Sequence, residues 1–484
     1  MAMLFRVIKN FFFSFLSQGL LLLSSLGIYI LVGRQMGPDG LGQFSFVMAY
    51  IGLFTFLPDL GLNLFLIREV SRDPGMVRYY MGYAFVLVLI LSPISFVITV
   101  CLSQALKFDE IVRQSIYLGA GWVIVGAYLA LFRASFHAYE KMEYETTMVL
   151  TERATAFVGS VLALVLGMGV VGLIGVQFLA RLVALVVAGV VFVVKIDAFP
   201  RLTFDYDVSF QMLKKSLPFA VNALTTTIYI QLDLVLLGVW WGDEASGYYR
   251  AATSLIIPLV VIATSLNVAI FPNMARSFYI SLDQTKYLLA VAIRYLFMIG
   301  WPLALGIALL SPAIIHFVYG AAFTPSVLAL RILALIVPMR FVNNAMGSGL
   351  TAVNRQGVRS TIILISAGLN LLLNIILIPR FSFIGASYST LGTEIVILIS
   401  LLWSVSKYVG HLQMTGLISK VWFAGLLMAV VTYLLQDIHL LFVILISVVV
   451  YMAALWILKA IPSDDLARIK VIVSRRSMRS SLEA

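Results

Sequence analysis

Residues Gly33–Arg72 read GRQMGPDGLGQFSFVMAYIGLFTFLPDLGLNLFLIREVSR, a glycine- and proline-rich turn, a long apolar run, an aspartate near its end and a charged exit. The turn recurs 205 positions later, where LVGRQMGPDGLGQF (31–44) aligns without a gap on LLGVWWGDEASGYY (236–249). Apolar runs flank both turns, which indicates an internal duplication. Three glycines keep one register in the two copies: Gly33, Gly37 and Gly42 fall on Gly238, Gly242 and Gly247.

The composition is that of an integral membrane protein. Of the 484 residues, 62% are hydrophobic and 11% are charged, and the mean hydropathy is +1.03. Soluble domains carry about 25% charged residues, so this chain cannot cover a surface that faces water. The net charge of +11 comes mainly from basic residues between the apolar runs. That pattern is typical of contact with anionic lipid and does not indicate a nucleic-acid partner.

Little in the sequence points to bound cofactors. The single cysteine, Cys101, cannot form an intrachain disulfide, and the four histidines are scattered, without the spacing of a metal site. A Walker-type phosphate loop is also missing from the sequence, so ATP is not expected to act on this chain directly. The sequence therefore predicts neither a cofactor nor a metal.

Fourteen apolar runs approach or exceed the roughly 20 residues that a membrane-spanning helix needs. The connections are too short for a soluble domain, and the runs do not alternate as barrel strands do. The predicted spans are 11–32, 42–66, 79–104, 115–136, 148–167, 172–195, 216–240, 247–272, 287–310, 323–346, 360–378, 384–406, 419–436 and 440–459.

Basic residues in the connections predict the orientation. The positive-inside rule places the richer side in the cytoplasm, so we expect a multi-pass protein of the cytoplasmic membrane with both termini cytoplasmic. The richer set is Arg6, Lys9, Arg68, Arg72, Arg78, Arg133, Lys141, Lys195, Arg201, Lys214, Lys215, Arg276, Lys286, Arg355, Arg359 and the C-terminal tail; the poorer set is Arg34, Lys107, Arg113 and Arg380.

The duplication predicts the domain organisation. Its offset separates the first span from the seventh, so both copies enter the membrane in the same direction, as a parallel repeat. Gly175 and Gly385, 210 positions apart, give a second and weaker match. We therefore predict an all-α membrane protein of two six-helix lobes followed by two extra helices. The predicted domains are 1–197, 198–410, 411–461 for the extra helices and 462–484 for a basic cytoplasmic tail.

The ordered motifs resemble the polysaccharide-transport family, the O-antigen flippase-like branch of the multidrug/oligosaccharidyl-lipid/polysaccharide exporter superfamily. The resemblance implies an alternating-access exporter whose first, second, seventh and eighth helices line a central cavity. It also implies a polyprenyl-diphosphate-linked oligosaccharide as the substrate. The motifs are GPDGLGQFSF, PDLGLNLFLIRE, SGYYRAATSLIIPL, IFPNMARSF, WPLALGIALLSPAIIHFVYGAAFTPSVLALRILAL, AVNRQG and NLLLNIILIPRFSFIGAS, in this order.

Polar stripes on the duplicated spans are candidates for the cavity wall. In span 216–240, Asn222, Thr226, Tyr229 and Asp233 are spaced i, i+4, i+7 and i+11, so they share one helix face. In span 11–32, Ser17 and Ser24 take the positions of Asn222 and Tyr229, with Gln18 beside Ser17. The alternative is that these side chains only join helices to one another.

Arginines within or beside the spans are candidates for binding the diphosphate. A charge inside a span costs about 2.5–3.5 kcal/mol on insertion scales, and guanidinium groups bind phosphate oxygens in bidentate fashion. Snorkelling and structural ion pairs are the alternatives, and for Arg68 a simple positive-inside anchor. The candidates are Arg250, Arg181, Arg294 and Arg68.

Three acids are candidates for a coupling proton or sodium ion. Asp233 ends the polar stripe, with a salt bridge as its competing role. Asp59 lies in the motif PDLG, where its carboxylate can instead satisfy backbone groups freed by a kink. Glu394 is placed near mid-depth, as is Arg181, so the two could also pair.

These observations predict a flippase for a polyprenyl-diphosphate-linked glycan, an O-antigen or similar surface-polysaccharide unit, that rocks between inward- and outward-open states. Polysaccharide polymerase machinery is a possible partner. One alternative is a cation-coupled exporter of drugs or small solutes with the same fold. Another, from a different class, is a membrane glycan polymerase or ligase, which the short outward connections disfavour.

Overall fold

The computed structural model describes residues 2–196, 199–412, 415–436 and 438–460, and these contain helices and connections without a strand. The prediction of an all-α membrane fold is confirmed. The predicted tail at 462–484 lies outside the described residues. The α-helices are α1 Ala2–Leu53, α2 Phe56–Asp59, α3 Leu62–Arg72, α4 Val77–Ala105, α5 Glu110–Ala138, α6 Met142–Val165, α7 Gly169–Lys195, α8 Tyr206–Ile256, α9 Val260–Phe278, α10 Leu282–Val318, α11 Ser326–Ala334, α12 Ile336–Ala352, α13 Gln356–Tyr408, α14 Thr415–Leu434 and α15 Leu440–Ile457.

Three of these helices are broken internally. A helix of 52 residues such as α1 would be about 78 Å long at 1.5 Å per residue, against a hydrocarbon core of about 30 Å. Gly37 interrupts α1 at φ 71° and ψ −169°, and Gly242 interrupts α8 at φ 79° and ψ −167°. Ser382 interrupts α13 at φ 52° and ψ −136°. Each long helix is therefore two helices joined at a sharp break.

The number of membrane crossings remains a prediction. Among the described residues, ten helical segments are long and apolar enough to cross a membrane. Three of them contain the breaks at Gly37, Gly242 and Ser382, and each of these overlaps two predicted spans. The shorter apolar helix 418–434 matches the predicted span 419–436.

Several predicted spans are less continuous than expected. Span 42–66 is interrupted at Leu60 and Gly61, which have positive φ values of 40° and 78°. Span 247–272 is interrupted by a 3₁₀ turn at Ile257–Leu259, and span 323–346 divides between α11 and α12. In the first two cases a proline lies at the interruption. Proline interrupts a helix because it lacks a backbone donor and its ring clashes with the preceding turn.

The two glycine-rich turns pack against each other, backbone to backbone. A Cβ atom on Gly42 would lie 1.7 Å from the carbonyl oxygen of Asp243, and a Cβ atom on Gly247 would lie 2.0 Å from that of Pro38. Pro38 and Asp243 are themselves 205 residues apart, as are Gly42 and Gly247. The same contact is therefore made twice with exchanged roles, as expected of duplicated segments. Only glycine leaves room for so close an approach.

The chain packs into two compact units. The first comprises Met1–Val261, Val318–Ala329 and Leu364–Thr393; the second comprises Ile262–Phe317, Leu330–Ile363 and Glu394–Ala484. In the first, α3, α4, α5, α7 and neighbouring helices enclose an apolar core that includes Phe65, Phe136 and Phe192. In the second, α10 packs on α14 and α15 around Met298 and Tyr451. These units follow packing rather than chain order, so the predicted lobes 1–197 and 198–410 remain predictions.

Candidate functional site

A small polar cavity lies within the first unit, among α2, α3, α5, α7 and α8. Its volume is about 220 Å³. We call it the Arg181 cavity, after its one basic lining residue. The lining residues are Thr55, Phe56, Asp59, Asn63, Val123, Gly126, Ala127, Ala130, Arg181, Ala223 and Thr227.

Arg181 is held at this cavity by two neighbours, Glu152 and Trp122. Its Nε donates to Glu152 Oε1 at 3.3 Å and its Nη1 donates to the Trp122 carbonyl at 3.0 Å. The guanidinium carbon lies 3.4 Å from the centre of the Trp122 ring, a cation–π contact. Gly126 leaves the space, because a Cβ atom there would lie 2.3 Å from Nη1. Arg181 is thus both charge-compensated and fixed in direction.

Asp59 lines the same cavity and holds the break between α2 and α3. Its Oδ2 accepts from the Gly61 amide at 3.2 Å and its Oδ1 from the Asn63 amide at 3.1 Å. These amides start α3 and would otherwise lack a partner. The expectation that the carboxylate satisfies backbone freed by a kink is confirmed. A carboxylate has about four acceptor sites, so Asp59 retains capacity toward the cavity.

Arg250 is the most buried of the candidate arginines, with 8% of its surface exposed. Its guanidinium carbon lies 4.8 Å from the centre of the Tyr29 ring of α1. Among the described residues, its Nε has no hydrogen-bond partner. One helical turn further along α8, Ser254 shares a 2.6 Å hydrogen bond with the Tyr319 hydroxyl. A buried cation with an unsatisfied N–H is costly, and an anion bound beside it would remove that cost.

Asp233 lies in a buried hydrogen-bond network that joins α8 to both halves of α13. It accepts from the Tyr249 hydroxyl at 2.7 Å, from Asn374 Nδ2 at 2.6 Å and from Thr390 Oγ1 at 3.1 Å. Asn374 Nδ2 also donates to Asn370 Oδ1 at 3.1 Å. Tyr249, Asn374 and Thr390 are thus uncharged donors to this buried carboxylate.

Glu394 is the corresponding buried acid of the second unit. Its carboxylate accepts from Arg340 Nε at 2.7 Å and from Asn343 Nδ2 at 3.0 Å. Arg181, the partner considered from the sequence, is bound to Glu152 instead. The structure therefore gives each of the two residues a different counter-ion.

The residues of the predicted polar stripes differ in their exposure, some being buried and others exposed. Ser17 is buried and bonds Thr146 of α6 at 2.8 Å, while the Ser24 hydroxyl donates to the Arg153 carbonyl at 3.4 Å. Gln18, Asn222 and Thr226 are exposed and Tyr229 is half-buried. None of the six lines the Arg181 cavity, whose α8 wall is Ala223 and Thr227. Their role in a larger transport cavity remains a prediction.

The two remaining arginines lie elsewhere. Arg68 is 42% exposed in its side chain and bonds the neighbouring Glu69 at 2.7 Å. Its guanidinium carbon also lies 5.8 Å from the ring centre of Phe219 on α8. Arg294 belongs to α10 of the second unit and is half-buried. The candidate arginines are therefore not gathered in one cluster within either unit.

Glu152 and Arg153 were overlooked in the sequence. Both lie inside the predicted span 148–167, and Glu152 is 4% exposed. Arg153 Nη2 lies 3.6 Å from the Glu152 carboxylate, which also binds Arg181. The rule that singled out the other charges within spans applies to this pair equally and would have identified it.

The described part of the chain contains no group of three or more His, Cys, Asp and Glu side chains that could hold a metal ion. The polar centres of the first unit are therefore the Arg181 cavity, Arg250 and the Asp233 network.

Comparison with known proteins agrees with this architecture. Residues 7–278, more than half of the chain, match the model of the family described as polysaccharide biosynthesis protein. A probable low-salt glycan biosynthesis flippase, Agl15, of Haloferax volcanii is 26% identical over 373 residues, covering 74% of each chain. A putative O-antigen transporter of Escherichia coli K12 is 22% identical over 377 residues, 75% of this chain and 88% of the relative.

Two kinds of solved structure share the fold. The lipid II flippase MurJ in an inward closed conformation matches with a TM-score of 0.71 and 18% identity, over 92% of this chain and 98% of its own. An inward-facing multidrug resistance MATE transporter matches with a TM-score of 0.64 and 15% identity, over 84% of this chain and 96% of its own. At these identities the likeness shows the fold alone.

Proposed function

The chain belongs to the polysaccharide biosynthesis protein family, and from this premise we propose that it is a flippase for a lipid-linked polysaccharide unit. Relatives named as a glycan biosynthesis flippase and an O-antigen transporter support the assignment. The finer proposal names the substrate as a polyprenyl-diphosphate-linked oligosaccharide. The protein carries it from the cytoplasmic to the outer leaflet of the cytoplasmic membrane. The proposal also places both termini in the cytoplasm and takes alternating access as the transport mechanism.

The observation that carries the finer proposal is Arg250. A diphosphate crossing hydrocarbon needs a cation whose charge is not already used in an ion pair. Arg250 is buried on the Tyr29 ring with an unsatisfied Nε, whereas Arg181 is bound to Glu152. Guanidinium groups bind phosphate oxygens with two parallel hydrogen bonds. Arg250 is therefore assigned to the diphosphate.

Transport is tested in proteoliposomes with a fluorescent polyprenyl-diphosphate oligosaccharide. We expect wild-type protein to move the lipid between leaflets and Arg250→Gln to slow it at least tenfold, because the headgroup loses a charged donor worth about 1.5–3 kcal/mol. Arg250→Lys should restore only part of the rate, because an ammonium group does not bind in bidentate fashion. Arg113→Gln, at an exposed pair with Glu110, is the matched control.

Two outcomes would redirect the proposal. If Arg250→Gln folds and flips at the wild-type rate, the headgroup assignment is wrong while the flippase function stands. If wild-type protein moves no lipid but a proton or sodium gradient drives efflux of a small organic cation, the exporter alternative replaces the flippase. The same fold is found in a multidrug transporter, which makes that measurement necessary.

Asp233 is proposed as the site of the coupling ion. Its carboxylate is buried in a polar network of tyrosine, asparagine and threonine, and buried acids within spans are candidates for exchanging a proton or binding an ion. A gradient of the coupling ion should accelerate flipping by wild-type protein, and Asp233→Asn should abolish the acceleration while leaving some downhill flipping. Thr432→Val, in a buried hydroxyl pair of the second unit, is the control. Unchanged acceleration in Asp233→Asn would contradict the assignment.

A further inference from the structure

The Arg181 cavity differs from the Arg250 site in its charge balance. Arg181 and Arg153 both lie against Glu152, at 3.3 and 3.6 Å, and Asp59 lines the cavity as well. The charged residues that line the space are therefore one cation, Arg181, and one anion, Asp59. A diphosphate would face the carboxylate of Asp59 and an arginine that already has a carboxylate partner, and an organic cation would face Arg181. Because Coulomb energies are large in a low-dielectric interior, the cavity is suited to an uncharged ligand.

The remaining hydrogen-bonding groups indicate a ligand with many hydroxyls. A guanidinium carries five N–H donors, and the bonds to Glu152 and Trp122 use two of them. Asp59 retains acceptor sites, and Thr55, Asn63 and Thr227 add groups that can donate or accept. A sugar hydroxyl needs one donor and one acceptor partner, so a wall with both kinds of group satisfies it.

The apolar part of the cavity and its size fit a single ring. Phe56 and Val123 line it together with small alanines, which gives the C–H face of a pyranose an apolar surface. The volume of about 220 Å³ equals that of about seven waters at roughly 30 Å³ each. It falls below the roughly 300–1,000 Å³ of a site for a whole drug-sized ligand. The cavity therefore holds one part of a larger molecule.

We propose that the Arg181 cavity binds one neutral sugar ring of the translocated glycan, with Arg181 donating to ring hydroxyls and Asp59 and Thr227 accepting from them. This inference rests on the proposed flippase function and moves Arg181 from the diphosphate to the glycan. Glu152 and Gly126 are positioning residues: the first orients the guanidinium and the second leaves room for it.

Binding to protein in nanodiscs tests the inference with two probes. One is a fluorescent polyprenyl diphosphate without sugar, and the other is the same lipid carrying an oligosaccharide. Thr227→Val should weaken binding of the glycan lipid about fivefold and Asp59→Asn about tenfold or more, as expected for lost hydrogen bonds to a neutral and a charged group. Neither should change binding of the sugar-free lipid. Arg250→Gln should weaken binding of both.

Thr225→Val is the matched control, because Thr225 lies two residues before Thr227 on α8, donates to the Val221 carbonyl of its own helix and does not line the cavity. Equal losses for both lipids in Thr227→Val and Asp59→Asn, or no loss in either variant, would overturn the sugar site and leave the flippase function intact. If wild-type protein binds neither lipid, the proposed function and the sugar site fail together. Thr227→Val keeps the test decisive if Asp59→Asn disturbs the break before α3.

Discussion

At the scale of single residues, Glu152 is the counter-ion on which the geometry of Arg181 depends. It lies in the middle of α6, accepts from Arg181 and lies against Arg153. Its side chain is 5% exposed, so solvent does little to screen these charges. Removing one member of a buried group of charges leaves the others without compensation, which costs more than the group contributes when intact.

We therefore expect Glu152→Gln to destabilise the protein by about 3–5 kcal/mol. The measurement is thermal unfolding in detergent, followed by the fluorescence of the tryptophans. The double variant Glu152→Gln with Arg181→Gln should recover part of the loss, because it removes an uncompensated charge. Glu110→Gln, whose partner Arg113 is exposed like itself, should leave the transition in place. A double variant less stable than either single one would contradict this account.

At the residue scale, the sequence predicted one contact whose cause is local, the hydrogen bonds from backbone amides to Asp59. Asp59 was expected to satisfy freed backbone groups because the motif PDLG contains both the break and its acceptor. The hydrogen bond from Asn374 to Asp233 joins residues 141 positions apart. The stripe on span 216–240 predicts the face on which Asp233 lies, but not which helix packs on that face. The pairing of Arg181 with Glu152 could not be predicted for the same reason, because the sequence does not show which helices pack together.

At the scale of helices, the breaks at Gly37 and Gly242 form the structural core of the duplication. Both residues have positive φ with an extended ψ, a combination that is essentially confined to glycine. Five residues after each break, Gly42 and Gly247 bring the two backbones into contact. The aligned glycines therefore have two different roles. Gly37 and Gly242 adopt a backbone conformation that other residues avoid, and Gly42 and Gly247 allow the two backbones to approach.

These two roles can be separated by substitution. Gly37→Ala meets no atom within 4 Å, so its cost is the backbone strain alone, about 1–3 kcal/mol. Gly42→Ala should cost more, because its Cβ atom would overlap the Asp243 carbonyl and force the two turns apart. Gly19→Ala, within a regular part of α1 and with open space around it, should be neutral or stabilising by about 0.5–1 kcal/mol.

Unfolding temperatures in detergent check this order. A Gly42→Ala protein as stable as Gly19→Ala would show that the contact between the turns is not tight. We do not expect a second substitution at Gly247 to restore the stability of the Gly42→Ala protein. Both positions lie too close to the backbone of the other turn to carry a side chain.

Helix boundaries were predicted less well than the helices themselves. Apolar length alone places span 42–66 in one piece, although Leu60 and Gly61 turn the chain inside it. Pro58 and Pro258 signal such interruptions, but Pro302 lies inside the continuous helix α10. Whether a proline stops a helix or only bends it depends on neighbouring helices that re-satisfy the freed groups, and these are not visible in one sequence.

At the scale of the whole molecule, the contact between the two turns joins the two predicted lobes of the chain. The Gln43 Nε2 atom lies 3.4 Å from Asp243 Oδ2. Alternating access requires that the halves separate on one side of the membrane and then on the other. If this contact belongs to the moving interface, fixing it must stop transport.

We expect a cysteine pair at positions 43 and 243, introduced with Cys101→Ser and joined by a short reversible bis-thiol linker, to reduce flipping at least tenfold. Reductant should restore the rate. The control pair replaces Lys9 and Glu143, whose side chains lie 2.8 Å apart within the predicted first lobe, and its cross-linking should not affect transport. Full cross-linking at 43 and 243 with unchanged flipping would place the moving interface elsewhere.

The whole-molecule fold was predictable because membrane proteins obey few and strong constraints. Composition predicted the membrane class, run length predicted the helices, and the glycine register from Gly33 to Gly42 indicated the duplication. The charge-balanced cavity was not predictable, since Asp59, Arg181 and Thr227 come from three helices whose mutual rotation depends on packing.

The charges of α6 have a consequence for biogenesis. This helix is the least apolar of the ten membrane-length segments, and Glu152 and Arg153 each add about 2.5–3.5 kcal/mol to the cost of entering lipid near its centre. Arg181 follows Glu152 by 29 residues, so at about 5–20 residues per second the ribosome delivers it about 1.5 to 6 seconds later. We expect α6 to wait beside the translocon until α7 emerges, and the two helices to enter the bilayer together.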